Sequence, residues 1–462
     1  MKTFIKDSTR KKFQGGWMEK AQKESGKGTK DETWSSSLGF ILVSIGSAVG
    51  IGNIWRFPYL AGQNGGAAFL IPYLLSVLIF GIPLMLLEFA AGRRFRSSLL
   101  GTFERIDKRV KWLALVPLLM GAGILSYYVV IAGWTLCYFF LSLTGNFTDF
   151  ASFSQTNWSF LGALAVIAAT AFVLLGGIRS GIERANKLMV AMLFICLIVM
   201  VFEALSLPGA SKGIEFYLKP DFSALGKPDV WLIAVSQVIF SLSVGYGIML
   251  TYGGYGRKDE NLPRSSAIIA GADTLVAFLG GLMIFPIVFA FGMNPAEGPS
   301  LAFSTMPQIF SRMGFGWLFG AIFFLLLFFA ALTSSISMLE VYVKLAEEKM
   351  GWKRRKAVLL CAGALAIVAI PSALSYTGIG LTIGGKPFLD AMDFAFGTVL
   401  APLSALAMCI GIAWFWKERD FITELNLNTQ HMLGSVIVVL LKHVIPLALM
   451  LLFLAFVFGR IL

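Results

Sequence analysis

The chain contains about eleven apolar runs, each near the roughly 20 residues a helix needs to cross a hydrocarbon layer about 30 Å thick. They centre near Val49, Leu78, Ser126, Ala168, Ile195, Ser241, Phe278, Phe328, Ala364, Leu403 and Leu447. This constrains the fold more than any other feature, because in lipid every backbone amide must be satisfied within a helix or a closed barrel. Barrel strands would be about ten residues long and alternate apolar with polar, whereas these runs are solid. The expected fold is an all-α membrane protein of about 11 transmembrane helices. Composition agrees, since 57% of the 462 residues are hydrophobic and 14% are charged, well outside the range of ordinary soluble domains.

Lys and Arg concentrate in alternate loops: "KDSTRKKFQ", "GRRFRSSLLGTFERIDKRVK", "GIRSGIERANK", "GRKDENLPR" and "MGWKRRK" fall on one face if the spans alternate. Cytoplasmic loops retain positive charge, which predicts a multi-pass plasma-membrane protein with its N-terminus cytoplasmic and, for an odd number of spans, its C-terminus outside. The net charge of +12 is then a matter of topology, with membrane lipid as the partner and no nucleic acid. Residues 1–33 are polar, lack the apolar core of a signal peptide, and are expected to form a flexible cytoplasmic tail. Cys137, Cys196, Cys361 and Cys409 lie inside apolar runs without metal-like spacing and read as core residues. There is no phosphate loop, no His/Cys metal set and no nucleophile elbow, so an enzyme is not expected. The sequence leaves the oligomeric state open.

Two of the runs are interrupted. "SIGSAVGIGNIWRFPY", Ser44 to Tyr59, places Gly46, Gly50, Gly52, Asn53, Arg56 and Pro58 within one span. Five spans later "SLSVGYGIMLTYGGY", Ser241 to Tyr255, again sets glycines in the middle of an apolar segment. Glycine alone is common in membrane helices as a packing residue. Two interruptions in register, each beside polar side chains, point instead to irregular backbone that lines a cavity at the bilayer midplane. Successive groups of five helices imply an inverted repeat: 34–207 as the first, 208–418 as the second, and 419–462 as one additional helix.

"GSAVGIGNIWRFPY" followed by "NGGAAFLIPY" resembles the signature of the neurotransmitter:sodium symporter family. "GIPLMLLEFAAGR", "YYVVIAGWTL", "SGIERANK", "VSQVIFSLSVGYG", "TYGGYGRKDEN", "FFAALTSSIS" and "MDFAFGT" resemble family segments in the family's order. The resemblance implies a bacterial-type amino acid transporter with a 5+5 inverted repeat, broken helices 1 and 6 and one extra helix. By that resemblance it couples Na+ to an L-amino acid by alternating access. Two sodium sites are implied. One uses the carbonyls of Gly46, Val49 and Ala330 and the hydroxyls of Thr333 and Ser334. The other uses the Ala48 carbonyl, the Asn53 amide oxygen, Ser241 and Asp273, with Ala272 as the alternative in a register shifted by one. Serine and threonine in a membrane helix ordinarily bond back to their own carbonyls; the paired break is what makes these candidates for cation ligands. Asp273 stands where the family often has Asn and its animal members recruit chloride, so the resemblance implies chloride-independent transport.

Monoamine members carry Asp at the position of Gly50, so the substrate here should bring its own carboxylate. The resemblance implies that this carboxylate meets the amides of Ile51 and Gly52 at a half-helix start, the Tyr128 hydroxyl and sodium. The substrate ammonium would meet the carbonyls of Ala48, Phe240 and Ser241 and the Ser243 hydroxyl. The remaining wall, Ser47, Ile124, Phe240, Tyr246, Ser335 and Met338, favours a hydrophobic or aromatic side chain. The implied outer gate pairs Arg56 with Asp393 above Tyr128 and Phe240, with Asp390 as a competitor for the arginine. The implied inner gate uses Trp34 and Glu348, with Asp31 in place of the family's arginine and Lys30 as a substitute. Ala191 replaces the family's helix-five proline after Gly181. Glu88, Glu183, Gln237, Glu340, Lys442 and His443 read as structural pairing or snorkelling. The alternatives are an amino-acid sensor on the same fold, proton coupling through Asp273, and an ion channel.

Overall fold

The protein is represented by a computed structural model that describes residues 32–293, 302–425 and 434–458. The expected tail, with the inner-gate candidates Lys30 and Asp31, lies outside the described residues. The first span is α1 (Ser37–Ala48) and α2 (Gly52–Gln63), bent by 57° where they join. There follow α3 (Ala67–Phe95), α4 (Lys111–Leu143), α5 (Trp158–Leu175) and α6 (Ile178–Ser206). The short α7 (Pro228–Ser241) is continued after a second interruption by α8 (Ile248–Gly254). Then come α9 (Leu262–Ala290), α10 (Gly316–Met350), α11 (Arg354–Ala373), α12 (Phe388–Trp414) and α13 (Gly434–Ala455). Among the described residues 9 helices are individually long and apolar enough to cross a membrane, and the bent α1/α2 pair makes a tenth span. The α7/α8 pair, cut short by its break, completes the expected bundle.

Local chemistry sets the helix ends. Ser36 caps α1 by accepting from the Gly39 amide at 3.0 Å, and Asn261 caps α9 by accepting from the Arg264 amide at 3.0 Å, each satisfying a first-turn donor. Pro228 opens α7 at a position where no amide is needed, and Gly351, at φ +64°, ends α10. The most enclosed helices are α4 and α10, 72% and 78% buried over their central windows, and they pack on one another at the centre of the bundle. The peripheral α13 is only 33% buried, and Phe172 of α5, Phe202 of α6 and Leu447 of α13 turn outward, as expected where the solvent is lipid.

One close approach positions the site. A Cβ on Gly280 of α9 would lie 2.9 Å from the Asn53 carbonyl oxygen. Its absence lets α9 lie directly against the wide turn Gly52–Arg56 and brings Asp273 to the first break.

Candidate functional site

The first break is built by Asn53 and two glycines. α1 runs regularly to Ala48, where Val49 turns to extended backbone (φ −70°, ψ 106°). The Gly50 amide, which in a continuous helix would bond the Gly46 carbonyl, donates instead to Asn53 Oδ1 at 2.9 Å. The chain restarts in a π turn, Gly52–Arg56, closed by the Phe57 amide on the Gly52 carbonyl. Such widened turns concentrate at functional sites.

The second break needs left-handed backbone three times in five residues: Ser243 (φ +51°), Gly245 (φ +87°) and Gly247 (φ +73°). Two glycines adopt this freely, whereas Ser243 does so at a cost that its contacts must offset. Its hydroxyl donates to the Ser47 carbonyl at 2.9 Å, which joins the second break to the first. The loop's own backbone is met by side chains. Glu88 of α3 accepts from the Gly245 amide at 2.6 Å and from the Leu250 amide at 3.3 Å, and the Ser404 hydroxyl donates to the Gly245 carbonyl at 2.5 Å. A carboxylate is thus the cap of α8, a role that sequence reading reduced to generic pairing.

Between the breaks lies a cavity of about 30 Å³. Ser47, Ala48, Gly50, Gly52 and Asn53 line it from the first break, and Phe240, Ser241, Ser243 and Tyr246 from the second. Ile124, Tyr128, Ser334 and Met338 complete it from α4 and α10. Of the expected substrate contacts, two stand elsewhere. Ser335 is fully buried and donates back to the Ala331 carbonyl at 2.9 Å, because its place on α10 turns it away from the opening. Ile51 borders a second, outer cavity of about 210 Å³. Phe240 and Tyr128 line both cavities and form the partition between them.

Two sets of hard oxygen atoms flank the inner cavity. In the first, Asp273 is fully buried and accepts from Asn53 Nδ2 at 2.7 Å, from Ser241 Oγ at 2.8 Å and from Tyr73 Oη at 3.3 Å. Ala272, the alternative in the shifted register, is only partly buried and offers no side-chain oxygen. The Asn53 amide oxygen, expected to share a cation with this carboxylate, accepts from the Gly50 amide at 2.9 Å. In the second set, Thr333 donates to the Phe329 carbonyl at 2.9 Å, and Ser334 donates to the Ala330 carbonyl at 3.1 Å and the Ser47 carbonyl at 3.4 Å. A hydroxyl that donates to a carbonyl keeps its lone pairs for a cation. Ala330, whose carbonyl accepts from Ser334, is buried, as are Gly46 and Val49. Among the described residues no three His, Cys, Asp or Glu converge as a transition-metal site.

The expected outer gate is arranged differently. Arg56 does not pair with Asp393. Its guanidinium lies 4.9 Å from the centre of the Phe240 ring and donates to Gln237 Oε1 at 3.1 Å, while Asp393 accepts from Tyr127 Oη at 2.7 Å. Asp390 is held by Tyr376 Oη at 2.6 Å. Both members of the outer gate therefore have other partners, and the outer cavity lies between them. On the opposite side Trp34 donates to the Tyr252 carbonyl at 3.0 Å and packs edge-on against Tyr252 and Tyr255. Glu348 is separate, bound by Ser97 Oγ at 2.5 Å and the Ser98 amide. It caps the helix Leu99–Ile106, where the exposed amides attract a carboxylate. Tyr255 donates to Glu340 at 2.7 Å, and Arg354 grips the same carboxylate at 2.8 Å. Tyr73, Tyr127 and Ser404 are further site residues that sequence reading missed; an isolated hydroxyl in an apolar run was their only signal.

Interrupted helices that turn carbonyls and hydroxyls toward one cavity are the arrangement in which secondary transporters hold substrate and ion. The chain belongs to the sodium:neurotransmitter symporter family, whose profile matches residues 31–152 and 147–460. It is 36% identical over 440 residues to an uncharacterized sodium-dependent transporter of Bacillus subtilis, covering 92% of this chain and 97% of that one. A similarly described protein of Methanocaldococcus jannaschii is 38% identical over 424 residues, covering 86% and 85%. Among solved structures, MhsT in complex with L-phenylalanine superposes with a TM-score of 0.84 at 40% identity, covering 92% of this chain and 99% of that one. The protein is thus a multi-pass membrane transporter of a sodium-dependent family.

Proposed function

We propose that the protein is a symporter that couples inward sodium flow to the uptake of hydrophobic or aromatic L-amino acids, by alternating access and without chloride. The observation that carries this reading is the direct bond between the two breaks, Ser243 Oγ to the Ser47 carbonyl at 2.9 Å, beside a cavity edged by both oxygen sets. The Tyr128 and Ser334 hydroxyls each lie 3.3 Å from where a Gly50 side chain would begin. Gly50 places no side chain there, and the substrate's own carboxylate takes the space. Its ammonium faces the Ala48, Phe240 and Ser241 carbonyls. At about 30 Å³ the inner cavity has room for little more than water. An aromatic substrate enters by displacing the Phe240 ring and the flexible Met338 side chain, which merges the two cavities.

One sodium is held by Gly46, Val49, Ala330, Thr333 and Ser334. The other is held by Ala48, Asn53, Ser241 and Asp273, and there the cation replaces the positive end that Asn53 Nδ2 now presents to the carboxylate. An ionised Asp at membrane depth is tolerable when paired in this way, and its charge makes an external anion unnecessary. The basic loops place the N-terminus inside and the C-terminus outside, with repeats at 34–207 and 208–418 and the extra helix in 419–462. The deciding experiment is a competition panel of the common amino acids against sodium-dependent uptake in reconstituted vesicles. Strong competition by Phe, Tyr, Trp, Leu or Met is expected; competition by charged amino acids alone refutes the substrate class.

A further inference from the structure

The head-group end of the inner cavity is set by Gly50 and by the Tyr128 and Ser334 hydroxyls, each 3.3 Å from where a Gly50 side chain would begin. One helical turn from each of these residues, toward the basic loops, the same three helices present Ser47, Ile124 and Met338 to the cavity. α1 and α10 meet at this second level, where Ser47 Oγ and Ser337 Oγ lie 2.9 Å apart. Ile124 and Met338 are apolar, so among the three Ser47 alone carries a hydroxyl. Ser337 is fully buried and is not part of the cavity lining.

The bonds around Ser47 fix where its proton points. Ser337 Oγ donates to the Ser334 carbonyl at 2.8 Å, which uses the single proton of a serine hydroxyl. The proton in the Ser47 to Ser337 bond therefore comes from Ser47. The Ser47 carbonyl is engaged as well, accepting from Ser243 Oγ at 2.9 Å and from Ser334 Oγ at 3.4 Å. What Ser47 has left for the cavity is the lone pairs of its hydroxyl oxygen. A buried acceptor of this kind gains from a ligand that brings a donor and is left unmet by one that does not.

We infer that Ser47 reads a hydrogen-bond donor at the far end of the substrate side chain, the phenol O–H of tyrosine or the indole N–H of tryptophan, and that Ser337 is the positioning residue that keeps Ser47 an acceptor. This rests on the amino-acid reading above and narrows it: an aromatic side chain that carries a donor is preferred to phenylalanine, leucine or methionine. Without the Ser337 oxygen the Ser47 hydroxyl is free to turn its own proton into the cavity, where it opposes the donor of the ligand.

The test is equilibrium binding to the full chain in sodium, with L-tyrosine, L-phenylalanine and para-fluoro-L-phenylalanine as probes; the last resembles tyrosine in length and offers no donor. L-Tyrosine should bind about fivefold more tightly than either of the others, the equivalent of one neutral hydrogen bond. In Ser337→Ala that ratio should fall below about twofold, while L-phenylalanine affinity and the sodium concentration for half-maximal binding stay within about twofold of the wild type. Ser337→Thr keeps the hydroxyl and should keep the ratio. A purely structural role for Ser337 would weaken all three probes in parallel. Equal binding of the three probes by the wild type, a ratio that survives in Ser337→Ala, or a parallel loss of all three overturns the inference; the first comparison needs no variant and decides even where Ser337→Ala does not fold. If none of the probes binds in sodium, the aromatic-substrate reading falls and this inference with it, whereas equal binding overturns the Ser47 subsite alone.

Discussion

Glu88 is the residue whose replacement should be most informative, because it is fully buried and caps the break on which the pocket depends. Glu88→Gln keeps the size and removes the charge. The Gly245 amide then bonds a neutral oxygen, a loss of about 1 kcal/mol relative to a charge-assisted bond. The Leu250 amide faces an NH2 group instead of an acceptor, which leaves a buried donor unmet at about 1–3 kcal/mol. The sum is about 2–4 kcal/mol, and it falls on the loop that carries Ser243 and Tyr246. Since 1.4 kcal/mol is tenfold in affinity, even half of it weakens substrate binding by roughly tenfold; the remainder should appear as a lower unfolding temperature. The assay is thermal unfolding in detergent with and without sodium and L-phenylalanine, together with equilibrium binding. A Glu88→Gln protein that unfolds within about a degree of the wild type and binds within about twofold would refute the carboxylate cap.

Asp273→Asn should raise the sodium concentration for half-maximal uptake by about tenfold, since a charged ligand becomes neutral, and uptake should become chloride-dependent; wild-type uptake lost when gluconate replaces chloride would sink this assignment. Phe240→Ala removes the partition between the cavities and the ring beneath Arg56, and dissociation of bound substrate should accelerate by about tenfold with little change in unfolding temperature. Arg354→Leu strands Glu340, whose side chain is 0% exposed, and should cost about 3–5 kcal/mol, whereas the double variant with Glu340→Leu should recover most of it. Equal losses in the single and double variants, read by thermal unfolding, would count against that ion pair.

The site couples differently to the two sides of the membrane. Toward the outer cavity, Arg56 rests on Phe240 and Asp393 on Tyr127, so exchanging these partners for one another would close the partition from above. Toward the basic loops, α1 and α8 are tied together by Trp34 on Tyr252 and linked to α10 and α11 through Tyr255, Glu340 and Arg354. The half-helices on this side of the two breaks are thereby fastened to continuous helices. Under the proposed alternating access, release of those contacts is the motion required.

The sequence by itself determined what lipid enforces locally. Apolar length set the spans, and glycines with an asparagine in two of them marked where the helical ladder fails, because each backbone amide must be satisfied within a few residues. The family resemblance carried by the segments around the breaks, rather than the breaks alone, supplied most of the cavity lining, from Ser47 and Ala48 to Ser243 and Tyr246. Tertiary structure decided the partners: Arg56 with Phe240 and Gln237 rather than Asp393, Trp34 with Tyr252, Ser335 turned onto its own helix, Glu88 reaching a loop 157 residues away. Such pairings depend on how far neighbouring helices rotate and slide against one another. A shift of one residue exchanges one side chain for the next, and no local pattern in the chain records which one meets its neighbour.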